Sequence, residues 1–254
     1  MIEVNELRKG FDGVEILKGI STVFEKGKTN LIIGTSGSGK TVFLKCLLGL
    51  FKPEQGTISY DGAAYNSLDE EAQRNLRQQM GMVFQGSALF DSMTVEENVR
   101  FPLEMFTKQS KGEMKDRVDE VIERVNLENA HHKLPSEISG GMQKRVAIAR
   151  AVVTKPKYLF CDEPNSGLDP KTAIVIDNLI QQLTTENNIT TVINTHDMNS
   201  VMEIGEKIVF LKKGYLEWEG DKNQVFKTDN EAVTDFIYSS NLFKKVRNAQ
   251  LKGL

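Results

Sequence analysis

The sequence has few residues that could cross-link it or anchor it in a membrane. Its 254 residues include only two cysteines, Cys46 and Cys161, which lie far apart and fit no metal-ligand spacing. Each falls among apolar side chains, so we expect two buried, reduced thiols, as in a cytosolic protein, and no disulfide. No apolar run approaches the roughly 18 residues that span a bilayer. We therefore expect any membrane attachment to come through a partner.

The chain also lacks a marked excess of charge of either sign. It carries 32 basic and 35 acidic residues, which argues against a nucleic-acid binder that depends on a basic surface. The opening residues Met1, Ile2, Glu3 and Val4 include an acid where a secretion signal has basic residues, so we expect no signal peptide. The length allows one or two domains.

A glycine-rich loop lies between an apolar run and a helical pattern. Glycines in such a loop let backbone N–H groups face phosphates, and the following helix directs its positive end at them. Lys40 can then reach the β and γ phosphates, and Thr41 can offer its hydroxyl to Mg²⁺. The sequence therefore predicts nucleotide binding. The residues expected to contact the nucleotide are Gly34, Thr35, Ser36, Gly37, Ser38, Gly39, Lys40 and Thr41.

Polar side chains follow three other apolar runs. Asp162 and Glu163 end one, Gln85 ends another and His196 ends a third. Ligands bind at the carboxyl edge of open α/β sheets, so these residues and Gly34 should share that edge. An aspartate there can hold Mg²⁺, and a neighbouring glutamate can orient or deprotonate a water. Solvated acids and a structural histidine are the alternatives for single residues, but the convergence favours a site.

A second glycine pair, in Ile138-Ser139-Gly140-Gly141-Met142-Gln143, precedes the acidic strand. Together these features resemble an ATP-binding cassette (ABC) ATPase over nearly the whole chain. The resemblance implies an α/β fold, namely a P-loop NTPase cassette with a RecA-like parallel-sheet core, an antiparallel β layer and an inserted helical lobe. Residues 34–41 resemble the Walker A loop, Asp162 resembles the Walker B acid, and Glu163 resembles the catalytic glutamate.

The same resemblance implies roles for the remaining motifs. Gln85 is similar to the Q-loop glutamine, a catalytic residue that also contacts the metal, and His196 is similar to the switch histidine. Phe11 resembles the aromatic that stacks on adenine. Residues 166–169 resemble the D-loop, and Ser139, Gly140 and Gly141 match the family signature.

The family mechanism implies two copies facing each other head to tail. Each ATP would lie between Lys40 of one copy and the signature residues of the other, with Mg²⁺ at Thr41, Gln85 and Asp162. Glu163 would polarise the attacking water. Closure on ATP would then do mechanical work on an integral membrane permease, which would place the chain peripherally on the cytoplasmic face of the inner membrane.

A narrower resemblance concerns the cargo. The last signature position is Met142, followed by Gln143-Lys144-Arg145-Val146. This run resembles the corresponding run in cassettes paired with MCE-type lipid-binding proteins, the Mla-type phospholipid transport ATPases. This implies phospholipid transport. Three alternatives stay open: another cargo such as an amino acid or a lipoprotein, a soluble cassette that works outside transport, and a regulator that binds nucleotide without hydrolysis. Glu163 and His196 argue against the last.

The order of patterns predicts the domain organisation. We expect an ABC ATPase domain over residues 1–240, with strands at 2–33 and 56–60 forming a β layer and a helical lobe inserted at about 94–140. A short helix is expected at 231–237, and a C-terminal extension at 241–254 is expected either to reach a partner cassette or to fray. Four residues near Gln85 are either permease contacts or core: Phe84, Leu89, Phe90 and Met93. His131 and His132 are expected on the surface without a metal.

Overall fold

A computed structural model describes residues 1–238. This part of the chain contains ten β-strands and eight α-helices. The strands are β1 (Ile2–Phe11), β2 (Val14–Phe24), β3 (Thr29–Gly34), β4 (Gln55–Tyr60), β5 (Ala63–Ala64), β6 (Met80–Val83), β7 (Tyr158–Asp162), β8 (Thr190–Asn194), β9 (Lys207–Lys212) and β10 (Tyr215–Gly220). The helices are α1 (Lys40–Leu47), α2 (Glu70–Arg77), α3 (Val95–Phe106), α4 (Lys111–Arg124), α5 (Gly140–Val152), α6 (Pro170–Glu186), α7 (Met198–Ile204) and α8 (Glu231–Ile237).

A six-stranded sheet forms the centre, in the order β10-β9-β3-β8-β7-β6. The strands from β9 to β6 pair in parallel, and β10 joins β9 as an antiparallel edge strand. Every residue of β3 and β8 is buried. Strands covered on both faces need apolar residues on both, which explains the uninterrupted apolar runs in the sequence. The predicted parallel-sheet core is confirmed.

A second, antiparallel sheet has the order β2-β1-β4-β5. It confirms the β layer predicted from the first third of the sequence, with one correction. Thr29–Gly34 does not belong to this layer but forms β3 in the parallel sheet. The residues of β3 are buried throughout, whereas those of β2 alternate between exposed and buried over much of its length, as expected for a sheet with one wet face.

Helices α3 and α4 lie within the helical lobe predicted at about 94–140, and the structure extends this lobe by α5, which packs against both. Thr94 and Ser110 cap α3 and α4 in reciprocal capping boxes with Glu97 and Glu113, which satisfies free N–H groups at both helix starts. The apolar stripe on α4 is buried at Val118, Val121 and Ile122, as the helical periodicity predicted. These side chains pack into the main core, so the lobe is continuous with the rest of the fold.

The central sheet separates two hydrophobic clusters. Alternate residues of β3 show the division, since Leu31 and Ile33 point into one cluster and Ile32 into the other. The first cluster joins the sheet to the helical lobe, α6, α7 and α8, and the second joins it to the antiparallel layer and α1. Burying a large aliphatic side chain contributes about 1.5–3 kcal/mol to the stability of the fold. The two clusters therefore hold the central sheet, and with it the carboxyl edge of its strands, in place.

The cysteine and helix predictions are also confirmed. Cys46 and Cys161 are buried free thiols. The predicted helix at 231–237 is α8. Within residues 1–238, no helix is long and apolar enough to cross a membrane. The predicted C-terminal extension at 241–254 lies outside the described residues.

Candidate active site

A cavity of about 1120 Å³ opens at the carboxyl edge of the central sheet. Gly34 ends β3 and Asp162 ends β7, while Gln85 and His196 each follow a strand by two residues. All four line the cavity together with Glu163, as the positions after the apolar runs predicted. The sheet thus brings together residues that are far apart in the chain.

The glycine-rich loop covers one wall of this cavity. Gly34 has a φ of 148°, and a Cβ there would lie 2.2 Å from the carbonyl oxygen of Leu211. Gly39 begins α1 with a φ of 103° in the left-handed range, which suits glycine. Because Gly34 has no side chain, its backbone lies directly against β9. The loop residues that line the cavity are Gly34, Thr35, Ser36, Gly37, Gly39, Lys40 and Thr41.

Lys40 is buried within the loop. Its amine donates hydrogen bonds to the carbonyl oxygens of Gly34 at 2.9 Å and Thr35 at 3.1 Å. Burial lowers the pKa of Lys40, and the carboxylates of Glu163 and Asp162 act in the opposite direction. Two neutral carbonyls are weaker acceptors than phosphate oxygens, so the amine gains by turning to an anionic ligand.

Asn194, which no sequence motif includes, joins two of the predicted residues. Its Nδ2 donates to Asp162 Oδ1 at 2.6 Å and reaches Thr41 Oγ1 at 3.4 Å. Its own Oδ1 is buried and has no hydrogen-bond partner among the described residues, and the same holds for Ser38 Oγ. Leaving such atoms unpaired costs free energy. Neither Asn194 nor Ser38, a predicted nucleotide contact, is among the residues that line the cavity.

Glu163 and His196 form a pair at the mouth of the cavity. His196 Nδ1 lies 2.8 Å from Glu163 Oε1, and the histidine side chain is 69% exposed while that of the glutamate is 15% exposed. Glu163 has a φ of 49°, which is strained for a residue with a side chain. The strain and the histidine together fix the direction of the carboxylate.

The Gln85 side chain connects the cavity to the turn after β7. Gln85 Nε2 donates to Ser166 Oγ at 3.3 Å. Three residues on, Asp169 accepts hydrogen bonds from the backbone N–H groups of Lys171 and Thr172 and so caps α6. The turn at 165–169 therefore contacts the cavity-lining residue Gln85 at one end and starts a helix at the other.

The signature residues lie apart from this cavity. Ser139 caps α5 by accepting from the N–H of Met142, and neither it nor Gly140 and Gly141 is among the residues that line the cavity. The helix start presents N–H groups and a positive dipole end to the outside. Phe11 is likewise absent from the lining; it packs edge-on against Phe51 at 5.1 Å between ring centres.

Several lining residues come from segments that no motif covers. Lys212 is the last residue of β9 and Lys213 follows it, while Ala232, Asp235 and Phe236 belong to α8. The sequence does not identify them as site residues. The positions of the three α8 residues depend on how that helix packs against the sheet.

The other candidate residues lie outside the cavity. Phe84 and Phe90 are exposed, whereas Leu89 and Met93 are half-buried. His131 is half-buried and lies 3.2 Å from Asp119.

The central parallel sheet and its phosphate loop define the class as a P-loop nucleotide hydrolase cassette. Residues 17–166 match the family model for the ABC transporter, more than half of the chain. The chain belongs to this family, and it is an ABC-type ATPase.

Two curated relatives show how far the similarity extends. The chain is 36% identical over 236 residues, or 93% of its length, to the probable ribonucleotide transport ATP-binding protein mkl of Mycobacterium tuberculosis. It is 40% identical over 244 residues, or 94% of its length, to the methionine import ATP-binding protein MetN 2 of Bacillus cereus. The chain spans 66% of the first protein's length and 72% of the second's.

A solved structure supports the fold and the chemistry. The dimeric bacterial ABC transporter cassette MJ0796 is 34% identical, with a TM-score of 0.79 over 87% of this chain and 99% of that one. The same cassette has been solved as a dimer in a post-hydrolysis state bound to ADP and Pi.

Proposed function

We propose that this chain is the ATP-hydrolysing subunit of a membrane transporter that moves phospholipid through a permease paired with an MCE-type protein. The observation that carries the proposal is the cavity that gathers Lys40, Asp162, Glu163 and His196 behind a phosphate loop. Phosphoryl transfer depends mainly on positioning and charge neutralisation, and these side chains can supply both.

Lys40 and the backbone N–H groups of the loop hold the phosphates of ATP. The amine leaves the carbonyls of Gly34 and Thr35 for charged phosphate oxygens, which form stronger hydrogen bonds. The missing side chain of Gly34 lets the start of the loop lie against β9, which fixes the position from which its N–H groups reach the phosphates. Phe11 is proposed to stack on adenine; it is 40% exposed and available for such a contact.

Thr41, Asp162 and Gln85 are the proposed Mg²⁺ ligands. Their hydroxyl, carboxylate and amide oxygens are the donors that this hard cation prefers, directly or through water. Asn194 Nδ2 donates to Asp162 Oδ1 and so fixes the direction of that carboxylate. Bound there, Mg²⁺ would neutralise charge on the β and γ phosphate oxygens.

Glu163 is the proposed base for the attacking water. Its carboxylate is held by His196 Nδ1 and by a strained backbone, so that it needs little reorganisation. The same hydrogen bond leaves Nε2 on the opposite side of the imidazole ring, where it can contact the γ phosphate. His196 and Gln85 thus sense the phosphate that is lost on hydrolysis.

A second copy is proposed to complete the site. Ser139, Gly140 and Gly141 form the N-terminal end of α5 and lie outside their own chain's cavity. A helix start of this kind binds anions. In a head-to-tail pair, each copy's signature residues would contact the phosphates held by the other copy's Lys40. The dimeric form of the similar cassette MJ0796 supports this arrangement.

An exposed apolar groove is the proposed permease contact. It has a volume of about 470 Å³, and its lining includes Phe84, Phe90, Phe101, Pro102 and Phe106. Phe84 and Phe90 are 43% and 41% exposed, which supports contact over simple burial. The permease would place the chain on the cytoplasmic face of the inner membrane.

The cargo is proposed from the run Met142 to Val146, which resembles MCE-paired cassettes. A second candidate is import of an amino acid, favoured by the 40% identity to a methionine import protein. Both candidates share the ATPase mechanism and differ in the permease.

Capture of the natural complex tests the transport proposal. In the tagged full chain, Glu163→Gln removes the base while the amide keeps the shape, so ATP stays bound and the complex stays closed. This variant should bring an integral permease, an MCE-type protein and phospholipid out of detergent-solubilised native membranes. Capture of a different permease would change the cargo assignment. Capture of no membrane protein would contradict the transport proposal.

Two matched variants test the permease contact in the same background. Phe90→Asp places a charge in the groove and should abolish capture of the permease. Tyr215→Asp is the control, since Tyr215 is also an exposed aromatic that lies against a cation but belongs to β10. Loss of capture in both variants, or in neither, would remove the groove from the proposal.

A further inference from the structure

We infer that Lys144 is a positioning residue for ATP hydrolysis. It binds the loop that contains Gln85 to α5, the helix that Ser139 caps. This loop, residues 84–94, is called the Gln85 loop below. The inference rests on the ATPase activity alone and is independent of the cargo. Lys144 lies on α5, one turn beyond the signature residues, and its side chain is buried.

The anchoring consists of two cations on one helix and three carbonyls on one loop. The Lys144 amine donates to the carbonyl oxygen of Gln85. Two turns further along α5, the Arg150 guanidinium donates to the carbonyl oxygens of Ser87 at 2.8 Å and Ala88 at 2.7 Å. The first part of the Gln85 loop is therefore bound to α5 at three points.

Neither cation is paired with a carboxylate among the described residues. Both have a pKa lowered by burial; the thiol of Cys161 opposes this at Lys144. A buried cation without an acidic partner costs free energy, and an apolar side chain of similar volume avoids that cost. Stability therefore does not explain why residue 144 carries an amine. The hydrogen bond that this amine makes to the Gln85 loop does explain it.

The loop needs such anchoring because its backbone is strained. Ser87 and Ala88 have φ values of 62° and 48°, both in the left-handed region although neither is glycine. Backbone in this region persists only where neighbouring groups hold it. The carbonyls that accept from Arg150 belong to these two residues, and the carbonyl that accepts from Lys144 belongs to Gln85 itself.

The anchoring creates one bonded path between parts of the site. It runs from α5 through Lys144 to Gln85, and from the Gln85 side chain to Ser166 in the turn after Glu163. A shift of α5, whose first residues bind the partner's ATP in the proposed dimer, therefore carries Gln85 with it. Lys144 contacts neither substrate nor metal and acts through the position of Gln85.

Replacement of the amine by a neutral chain tests this role. Lys144→Met in the full chain should lower kcat for ATP hydrolysis about tenfold or more while the dissociation constant for a fluorescent ATP analogue stays within about twofold. The thermal midpoint should remain unchanged or rise, because an unpaired buried charge has been removed. A residue with a merely structural role would lower the midpoint and the activity together.

Two further variants keep the inference falsifiable. Lys144→Gln provides an amide N–H for the Gln85 carbonyl without a charge and should recover a large part of kcat. Lys115→Met removes an exposed lysine from α4 in the same lobe and should change nothing. Wild-type kcat in Lys144→Met would overturn the inference. So would a low kcat in Lys144→Gln accompanied by a lowered midpoint.

Discussion

At the scale of single residues, Asp177 is a carboxyl buried against the turn after Glu163. It lies on α6 with 1% of its surface exposed and accepts a hydrogen bond of 2.8 Å from Nδ2 of Asn165 in that turn. Burial raises the pKa of Asp177 to about 6, and the charges of Asp197 and Glu203 add to the rise. Ionisation of Asp177 therefore costs stability.

Asp177 should make the stability of the protein depend on pH. Between the ordinary pKa of 3.8 and the folded value of about 6, the folded state binds more protons than the unfolded state, so stability falls as pH rises through this window. Above it, the charge costs about 3 kcal/mol. Asp177→Asn should remove this slope and stabilise the fold by about 1–3 kcal/mol near pH 8, measured by denaturant unfolding at several pH values.

Asp116→Asn is the matched control, because Asp116 is an exposed carboxyl on α4. It should leave the pH profile of the unfolding free energy unchanged. If Asp177→Asn keeps the wild-type slope between about pH 4 and pH 6, then Asp177 is not the group that titrates in this window.

Sequence position predicted the strand-end residues and missed those whose role depends on distant partners. Asp162 and His196 were identified because each directly follows an apolar run. Asn194 lies inside such a run, and its partners Thr41 and Asp162 are 153 and 32 residues away in the chain. The sequence contains no sign of which polar strand residue bonds to these two side chains, because that depends on the pairing of β3, β7 and β8.

At the scale of elements, the start of α5 packs tightly on α6. A Cβ on Gly141 would lie 2.7 Å from Thr172 Cγ2, whereas a Cβ on Gly140 would meet nothing within 4 Å. Thr172 cannot turn away freely, because its hydroxyl donates to Asp169 Oδ2 at 2.5 Å. The two glycines of the signature therefore have different structural requirements.

Alanine substitution should separate the two glycines. Gly141→Ala should lower the unfolding free energy by about 1–3 kcal/mol, because the added methyl group displaces Thr172 and its bond to Asp169. Gly140→Ala should stay within about 0.5 kcal/mol of the wild type. Chemical unfolding of the nucleotide-free chain measures both, and equal effects would show that α5 does not pack on α6 as described.

The elements also show which features a local pattern can predict. Helical periodicity identified α4, because apolar residues at three- and four-residue steps place one continuous stripe on a helix and scatter over both faces of a strand. The assignment of β3 to the antiparallel layer was wrong, although the same run was correctly placed before the phosphate loop. A short apolar run predicts a strand but not its sheet, which depends on pairing with β8 and β9.

At the scale of the whole molecule, the two proposed phosphate-binding surfaces lie apart. Lys40 and its loop line the cavity, while Ser139 lies at the exposed start of α5, outside that lining. The second glycine pair predicted a separate anion-binding surface, whereas the head-to-tail pairing of two copies came from the family resemblance alone. The domain limits of 1–240 and 241–254 remain predictions.

The mass of the Glu163→Gln variant in solution tests the composite site most directly. With ATP and Mg²⁺, light scattering should show twice the mass of one chain. Adding Ser139→Arg should return the mass to one chain without weakening ATP binding, because in the proposed dimer Ser139 contacts only the partner's nucleotide. Ser110→Arg, which changes the cap of α4 in the same lobe, is the control and should leave the doubled mass. A doubled mass that survives Ser139→Arg, or a single-chain mass for Glu163→Gln with ATP, would contradict a site shared between two copies.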